Sequence, residues 1–353
     1  MKLKNVREQI DLIDSKILQL LTSRMEQVVI ARKLKKKIFD PKREKQILEK
    51  LKDSTNILLR ADFLEQIYET MFAESKRNQE RGLKLIAFQG EHGAYSEVAA
   101  HSWNADLATI ACERFSNVFE GVQRGIYDLG IVPVENTLGG VVGEVNDLMI
   151  HTDLHIVGAI EIPIEHCLLA LESANEKTIR KVYSHSQALT QCRHFINKRD
   201  YEPVAYFDTA GSARMLMERG TKSMAAIASR WAGDLYHLNV LQEGIEDFET
   251  NRTRFLILSK QKIDTNGQKC SIIFSTENKA GSLYSVLQMF ASRKVNLTRI
   301  ESIPNQFGKY VFFLDFEGSE KDDHVQAILG HLEETTRDFR LIGCYNESKT
   351  HSG

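Results

Sequence analysis

The sequence predicts a multidomain chain: an all-α domain over residues 1–80, a two-lobed α/β domain over 83–260, and an α+β domain of order βαββαβ over 268–346. Three observations predict it. Apolar residues recur at spacings of three and four through the first segment, and short apolar runs alternate with helical stretches through the second. The third segment reads strand, helix, strand, strand, helix, strand after the polar linker at 261–268. At 353 residues, 42% hydrophobic and 27% charged, the chain can build several cores and carries no low-complexity tract.

In the first segment Val6, Ile10, Ile13, Ile17 and Leu20 form the stripe of an amphipathic helix that runs to about Ile38, where Asp40-Pro41 interrupts it. A short helix over 42–52 and a third over 57–79 follow. The first helix, roughly 35 residues at 1.5 Å each, makes a rod of about 50 Å. Eighty residues cannot cover both ends of such a rod, so an intertwined homodimer is expected. Residues 1–79 carry 18 Lys/Arg against 12 Asp/Glu, which leaves 28 against 36 of the chain's 46 and 48 for the remainder. A basic segment implies an anionic partner, either nucleic acid or a small polyacid. The run Lys33, Lys35, Lys36, Lys37 has no interleaved aromatic residue and no recognition motif after it. It reads as a solvated helix end, and no nucleic-acid partner is expected.

The stripe continues through Arg24 and Lys35, 11 positions apart and therefore nearly in line after about three turns. A buried cation is costly unless it is paired or meets an anionic ligand; the alternative is that both side chains snorkel from the stripe edge. Ser75 and Gln79 form an i,i+4 pair on the third helix, and Arg43 and Glu44 follow Asp40-Pro41 directly. Cations, an amide and a carboxylate together suit a dicarboxylate that bears a hydroxyl. With Arg7 added, the set Arg7, Arg24, Lys35, Asp40, Arg43, Glu44, Ser75 and Gln79 resembles the active-site pattern of the all-helical chorismate mutases over residues 4–80. The resemblance implies that Arg24 binds a substrate carboxylate and that Arg7 reaches in from the other subunit. It also implies that Lys35 and Gln79 are catalytic donors to the ether oxygen and that Glu44 holds the ring hydroxyl. Asp40, Arg43 and Ser75 complete the substrate-binding set. The rearrangement of chorismate to prephenate is intramolecular, so it needs a compact conformer and stabilised ether-oxygen charge rather than a nucleophile or a cofactor.

The second segment changes period. Apolar runs at 85–88, 129–134, 156–160, 181–183, 224–228 and 255–258 predict α/β texture with largely parallel sheets and a cleft between two lobes. Loops rich in hydroxyl and amide groups lie at the strand ends: Ala94-Tyr95-Ser96, Glu135-Asn136-Thr137, Ser184-His185-Ser186-Gln187, Asp208-Thr209-Ala210-Gly211-Ser212 and Asn251-Arg252-Thr253-Arg254-Phe255. Each alone reads as a cap or a turn. Gly90-Glu91-His92-Gly93 lacks the full glycine pattern of a phosphate loop. Together and in this order the loops resemble prephenate dehydratase over 84–260, with Thr253-Arg254-Phe255 as the signature of that family. The resemblance implies that carbon dioxide and a ring hydroxyl leave together to give phenylpyruvate. Thr253 is the residue tied to activity, in a hydrogen-bonding or relay role, and Asn136, Thr137, Thr209 and Ser212 are candidate substrate contacts. His185 stays open between acid and structural histidine.

In the third segment Gly281, Ser282 and Leu283 face Glu301 and Ser302 in the βαββαβ order. This resembles the ACT domain, a small-ligand sensor, and the resemblance implies phenylalanine as a feedback effector bound there. Ile303, Ser282 and Tyr284 depart from the family pattern, which leaves the strength of inhibition open.

Five scattered cysteines without a CxxC pair argue against a disulfide framework or a zinc site. No stretch of 18 apolar residues spans a bilayer, and the N-terminal stretch has no apolar leader core. A cytoplasmic enzyme of L-phenylalanine biosynthesis is therefore expected, bifunctional, with chorismate and prephenate as substrates and no metal or cofactor. The competing reading is a two-lobed solute-binding or sensor protein with an ACT module and no turnover. Loss of chorismate absorbance with formation of phenylpyruvate separates the two.

Overall fold

The computed structural model describes residues 3–35, 37–52, 56–264, 266–305 and 309–350; Lys36 of the basic run lies outside them. The chain divides into two compact units, Met1–Leu85 and Ile86–Gly353.

The first unit is three helices, α1 (Leu3–Leu34), α2 (Pro41–Lys52) and α3 (Ala61–Glu80). The 32 residues of α1 make a rod of about 48 Å. Proline opens α2, where its fixed φ suits a first turn, and Asp40 Oδ1 accepts from the Arg43 backbone N–H at 3.1 Å. Among the described residues of these helices, Val29 and Phe72 are the only buried apolar side chains, whereas Ile10, Ile13, Ile17 and Leu20 are 47–71% exposed. A single chain therefore leaves the apolar stripe of α1 open to water.

The second unit begins with a lobe built from β1 (Leu85–Gln89), α4 (Tyr95–Trp103), β2 (Ala108–Cys112), α5 (Phe115–Gln123), β3 (Leu129–Asn136), β4 (Gly140–Val141), α6 (Gly143–Ile150) and β5 (His155–Pro163). A second lobe follows with β6 (Cys167–Ala170), β7 (Lys181–His185), α7 (Ser186–Gln191), α8 (Arg193–Lys198), β8 (Glu202–Tyr206), α9 (Thr209–Arg219), β9 (Met224–Ala228), α10 (Arg230–Leu235) and β10 (Asn239–Gln242). Strand β11 (Arg252–Ser259) then returns to the first lobe. It runs antiparallel to both β3 and β5, in a sheet that runs β5-β11-β3-β1-β2. In the second lobe β6 is antiparallel to β9 and β10, while β7 is parallel to β8 and β9. The expectation of largely parallel sheets is thus corrected to mixed ones. A chain that leaves one lobe, builds another and comes back must cross twice, and here it returns down the centre of the first sheet.

The third segment follows the expected order, β12 (Lys269–Ser275), α11 (Ser282–Ser292), β13 (Leu297–Asn305), β14 (Lys309–Glu317), α12 (Asp323–Thr335) and β15 (Arg337–Tyr345). Its antiparallel sheet, β13-β14-β12-β15, buries one face under its own helices through Phe274, Val286, Phe290, Leu314, Ile328 and Leu332. The opposite face packs Ile273, Phe313, Ile342 and Tyr345 into one core with Val132, Leu256 and Leu258 of the first lobe. One strand is absent from the sequence expectation: β16 (Glu347–Lys349) adds in parallel to the edge of β5. Three polar residues give no periodicity to read, because backbone pairing and ion pairs to distant segments hold them. The cysteine expectation is also corrected. Cys270 and Cys344 are cross-strand partners on β12 and β15 and form a disulfide between residues 74 positions apart, which local spacing cannot reveal.

Candidate active sites

In the helical unit the structure joins some of the expected residues directly. Arg24 Nη1 donates to Ser75 Oγ at 2.8 Å, and the guanidinium lies 5.9 Å from the centre of the Phe72 ring. Ser75 and Gln79, one turn apart on α3, are both buried, and Gln79 Oε1 has no partner among the described residues. A buried amide oxygen left unpaired is costly, so Gln79 holds an acceptor open to water, a second copy or a ligand. Glu44 is paired with Lys76 at 3.0 Å, and Lys76 stands over the Phe39 ring at 4.6 Å; sequence reasoning missed Lys76. Lys35 Nζ donates to the Ile38 carbonyl at 3.1 Å. Arg7, Asp40 and Arg43 are exposed, with Asp40 capping α2. One copy thus assembles Arg24, Ser75 and Gln79 and leaves Arg7 and Arg43 in water.

In the α/β unit a cavity of about 430 Å³ lies between the lobes, lined among others by Tyr95, Asn136, His166, Gln187, Thr209 and Thr253. Thr253 and Asn136 are directly opposed on β11 and β3, and Asn136 Nδ2 donates to Thr253 Oγ1 at 2.9 Å. The same amide is oriented by Asn251 Oδ1 at 2.8 Å and the Arg252 carbonyl at 3.0 Å, while its oxygen accepts from Gly139 N–H at 2.6 Å. Thr209 opens α9, so the positive end of an 11-residue helix faces the cavity, a favourable place for a carboxylate. Asp208 caps that helix through the Gly211 N–H. Burial pushes the Asp208 carboxyl above its ordinary range, although the Gly211 N–H and Arg214 oppose the shift.

Two expected contacts lie elsewhere. Thr137 is exposed and outside the lining: its hydroxyl donates to the Thr250 carbonyl at 2.9 Å and accepts from Arg252 N–H at 3.0 Å, a tie across the strand ends. Ser212 is fully buried and donates to the Thr209 carbonyl at 2.6 Å, because one turn into α9 its side chain faces the core. His185 is both wall and cap, its Nδ1 accepting from Gln187 N–H at 3.3 Å.

Sequence reasoning missed His166, which is 2% exposed. Its Nδ1 lies 2.9 Å from Tyr95 Oη and its Nε2 2.9 Å from Gln191 Oε1. Burial lowers its pKa despite the opposing Gln191 hydrogen bond, and so favours the neutral imidazole. The sequence signal is a lone polar residue before the apolar run 167–170, and such residues are common.

Contacts between the lobes hold the cleft. Ser229 Oγ donates to the Gly93 carbonyl at 2.6 Å and Trp231 Nε1 to Glu97 at 3.2 Å. Glu97 also accepts from Gly93 N–H at 2.7 Å and lies 2.7 Å from His92. Gly93 has φ +93°, and a Cβ there would stand 2.9 Å from Ala232, so glycine permits the close approach of the lobes. That close approach is the role the structure shows for Gly93 in the Gly90–Gly93 turn. Among the described residues no group of three or more His, Cys, Asp or Glu is placed to hold a metal ion.

A family model for prephenate dehydratase matches residues 86–263, and one for chorismate mutase type II matches residues 6–80. The bifunctional chorismate mutase/prephenate dehydratase of Aquifex aeolicus is 34% identical over 358 residues, 98% of each chain. This chain belongs to that bifunctional family. Arogenate dehydratase/prephenate dehydratase 2 of Arabidopsis thaliana is 39% identical over 274 residues, 74% of this chain and 72% of its own length. Among solved structures, prephenate dehydratase of Arthrobacter aurescens in complex with L-Phe aligns with TM-score 0.70 at 30% identity, over 74% of this chain and 89% of that one. The quorum-quenching acylase GqqA aligns with TM-score 0.70 at 32% identity, over 74% and 97%. The chain is therefore an enzyme of phenylalanine biosynthesis. It isomerises chorismate to prephenate and converts prephenate to phenylpyruvate. No helix among its described residues is long and apolar enough to cross a membrane.

Proposed function

We propose that Thr253 and Asn136 carry the dehydration in the cavity between the lobes, and that Arg24, Lys35, Gln79 and Glu44 carry the rearrangement. One observation supports the first assignment above all: the Thr253 hydroxyl sits in the cavity wall, oriented by an amide that is itself held on both sides. The hydroxyl assists departure of the ring hydroxide, and the N-terminus of α9 at Thr209 takes the side-chain carboxylate. For the rearrangement, Arg24 braced by Ser75 takes a carboxylate, and Lys35 and Gln79 meet the charge that grows on the ether oxygen. A cytoplasmic location is supported by the biosynthetic role alone, since the Cys270–Cys344 bond removes the cysteine argument for it. Turnover of chorismate and then of prephenate, each with and without phenylalanine, tests the whole scheme.

The helical domain functions as an intertwined homodimer, because the exposed stripe of α1 and the stranded Arg7 need a second copy. Arg7→Ala and Lys35→Ala proteins, each inactive as mutases, are expected to regain partial activity when mixed, through hybrid sites. Absence of recovery, with subunit exchange demonstrated, places the site within one chain.

The third segment acts as an ACT-type sensor of phenylalanine. A cavity of about 710 Å³ there is lined by Ser275, Gly281, Ser282, His331 and Arg337 among others. Leu283 instead packs into the segment's own core, and Glu301 and Ser302 on β13 are not in the lining. A second copy at the cavity mouth is what unites the two expected halves of the site. Gly281 has φ +90°, and a Cβ at this position would meet nothing within 4 Å, so Gly281→Val opposes the ligand and the loop geometry without a clash in the core. Gly281→Val is expected to relieve phenylalanine inhibition and preserve the uninhibited rate. Calorimetry that finds no phenylalanine binding to the intact wild-type protein removes the sensor assignment.

A further inference from the structure

Arg254 is a buried cation that neither chemistry uses. Strand alternation puts Thr253 and Phe255 on the cleft face of β11 and Arg254 on the reverse face. Its side chain is 5% exposed, yet every nitrogen is engaged. Nη1 donates to Asp315 Oδ2 at 2.6 Å and to Glu135 Oε1 at 3.3 Å, Nη2 to Tyr345 Oη at 2.9 Å, and Nε pairs with Glu347. Asp315, Tyr345 and Glu347 all belong to the third segment or the strand that follows it. Asp315 is completely buried and accepts from Ser271 Oγ at 2.5 Å, and Glu347 is also paired with Lys269 at 2.6 Å. Burial pushes Glu347 up, but Arg254 and Lys269 overcome it and hold the carboxyl below its ordinary range.

Apolar side chains of similar volume would join the two surfaces as well as this cluster does. What a guanidinium adds is direction, since its planar fork fixes where each partner stands. The place where it acts is specific. Thr253 opposes Asn136 and Arg254 opposes Glu135 on consecutive rungs of β11 and β3, and the register breaks immediately afterwards, between Arg254 and Phe255. On the β3 side the ladder is interrupted just past Arg254, while β5 pairs with β11 unbroken from Arg252 to Ile257, so the cross-strand spacing of the Thr253–Asn136 rung is set on one side only by regular pairing.

We propose that Arg254 is a positioning residue for dehydration: clamped by Asp315 and Glu347, it holds the Thr253–Asn136 rung in its reactive geometry, so that the docked third segment completes the site. The proposal rests on the assignment of Thr253 and Asn136 to dehydration. The same clamp reaches the effector cavity. Ser271, bonded to Asp315, and Ser275, in the cavity wall, lie four residues apart on β12, about 13 Å.

The test is a kinetic cycle on the full-length enzyme. Prephenate turnover, chorismate turnover and thermal melting are measured for Arg254→Lys, Glu347→Gln, Thr253→Ala and each combination with Thr253→Ala. Arg254→Lys keeps the charge and loses the fork; a displacement on the order of 1 Å costs about 10²-fold, so kcat for prephenate is expected to fall roughly 30-fold with KM changed less than about threefold. Chorismate turnover is expected to stay at the wild-type rate. Glu347→Gln, at the edge of the cluster, is expected to cost about fivefold in kcat by the same displacement argument. In the Thr253→Ala background either change is expected to cost less than about twofold, because the group it positions is gone. Losses that multiply in full, or wild-type kcat in both single variants, overturn the clamp. If Arg254→Lys does not melt cooperatively, the Glu347→Gln cycle decides alone. Full turnover by Thr253→Ala overturns the underlying site assignment, and normal dependence on Thr253 with multiplying losses overturns the clamp alone.

Discussion

Thr253→Ala is expected to remove most phenylpyruvate formation, by roughly 10²–10³-fold, the usual cost of losing one key donor at a reacting oxygen, while chorismate turnover is retained. The fold should survive. Asn136 loses one acceptor but keeps Asn251 Oδ1 at 2.8 Å and the Arg252 carbonyl at 3.0 Å, so no buried donor is stranded. Thr253→Ser keeps the hydroxyl and is expected to retain much more activity than the alanine variant. The check is steady-state kinetics on supplied prephenate for both variants, alongside thermal melting. Should serine and alanine variants lose activity equally, packing of the methyl group would be the better account of Thr253, and the hydrogen-bonding role would be withdrawn.

Lys35→Ala is expected to slow the rearrangement by about two to three orders of magnitude, again the scale of one lost donor to developing charge, with dehydration of supplied prephenate nearly untouched. The Lys35 ammonium is half-buried and donates to a neutral acceptor, the Ile38 carbonyl, at 3.1 Å. Loss of that hydrogen bond strands no buried carboxylate, and the helical domain is expected to keep its melting temperature. A rate effect without a stability effect is the signature of a group kept for the reaction. Equal loss of both activities would instead point to misfolding and sink the assignment.

The two active centres were unequally legible. On α1 and α3 the pattern repeats every three or four residues, so Arg24 could be set on the stripe of one helix and Ser75 and Gln79 on one face of the other by counting, and the structure joins Arg24 to Ser75. In the α/β domain the cleft is assembled from strand ends far apart in sequence. Thr253 and Asn136, 117 residues apart, meet because β11 returns antiparallel beside β3. The loops were recognisable as polar strand ends, but whether a hydroxyl turns to the cavity or to the core depends on a rotation of one residue. Thr209 faces the cavity, and Ser212, three residues on, does not.

His166 and the Arg254 clamp were illegible for another reason. A neutral buried histidine and an arginine flanked by strand residues give no local pattern, since their partners Tyr95, Gln191, Asp315 and Glu347 come from distant segments. The Cys270–Cys344 bond was missed in the same way. By itself the sequence determined the three textures, the helical stripe with Arg24 and Lys35 along it, and the hydroxyl-rich strand ends, because these follow from the 3.6- and 2-residue periods of local backbone geometry. Only the tertiary structure decided the mixed direction of the sheets, the face each polar side chain presents, and the ionic seating of the third segment behind Thr253. Those depend on long-range strand pairing and on the burial of charge, which are set by which surfaces meet and not by neighbours along the chain.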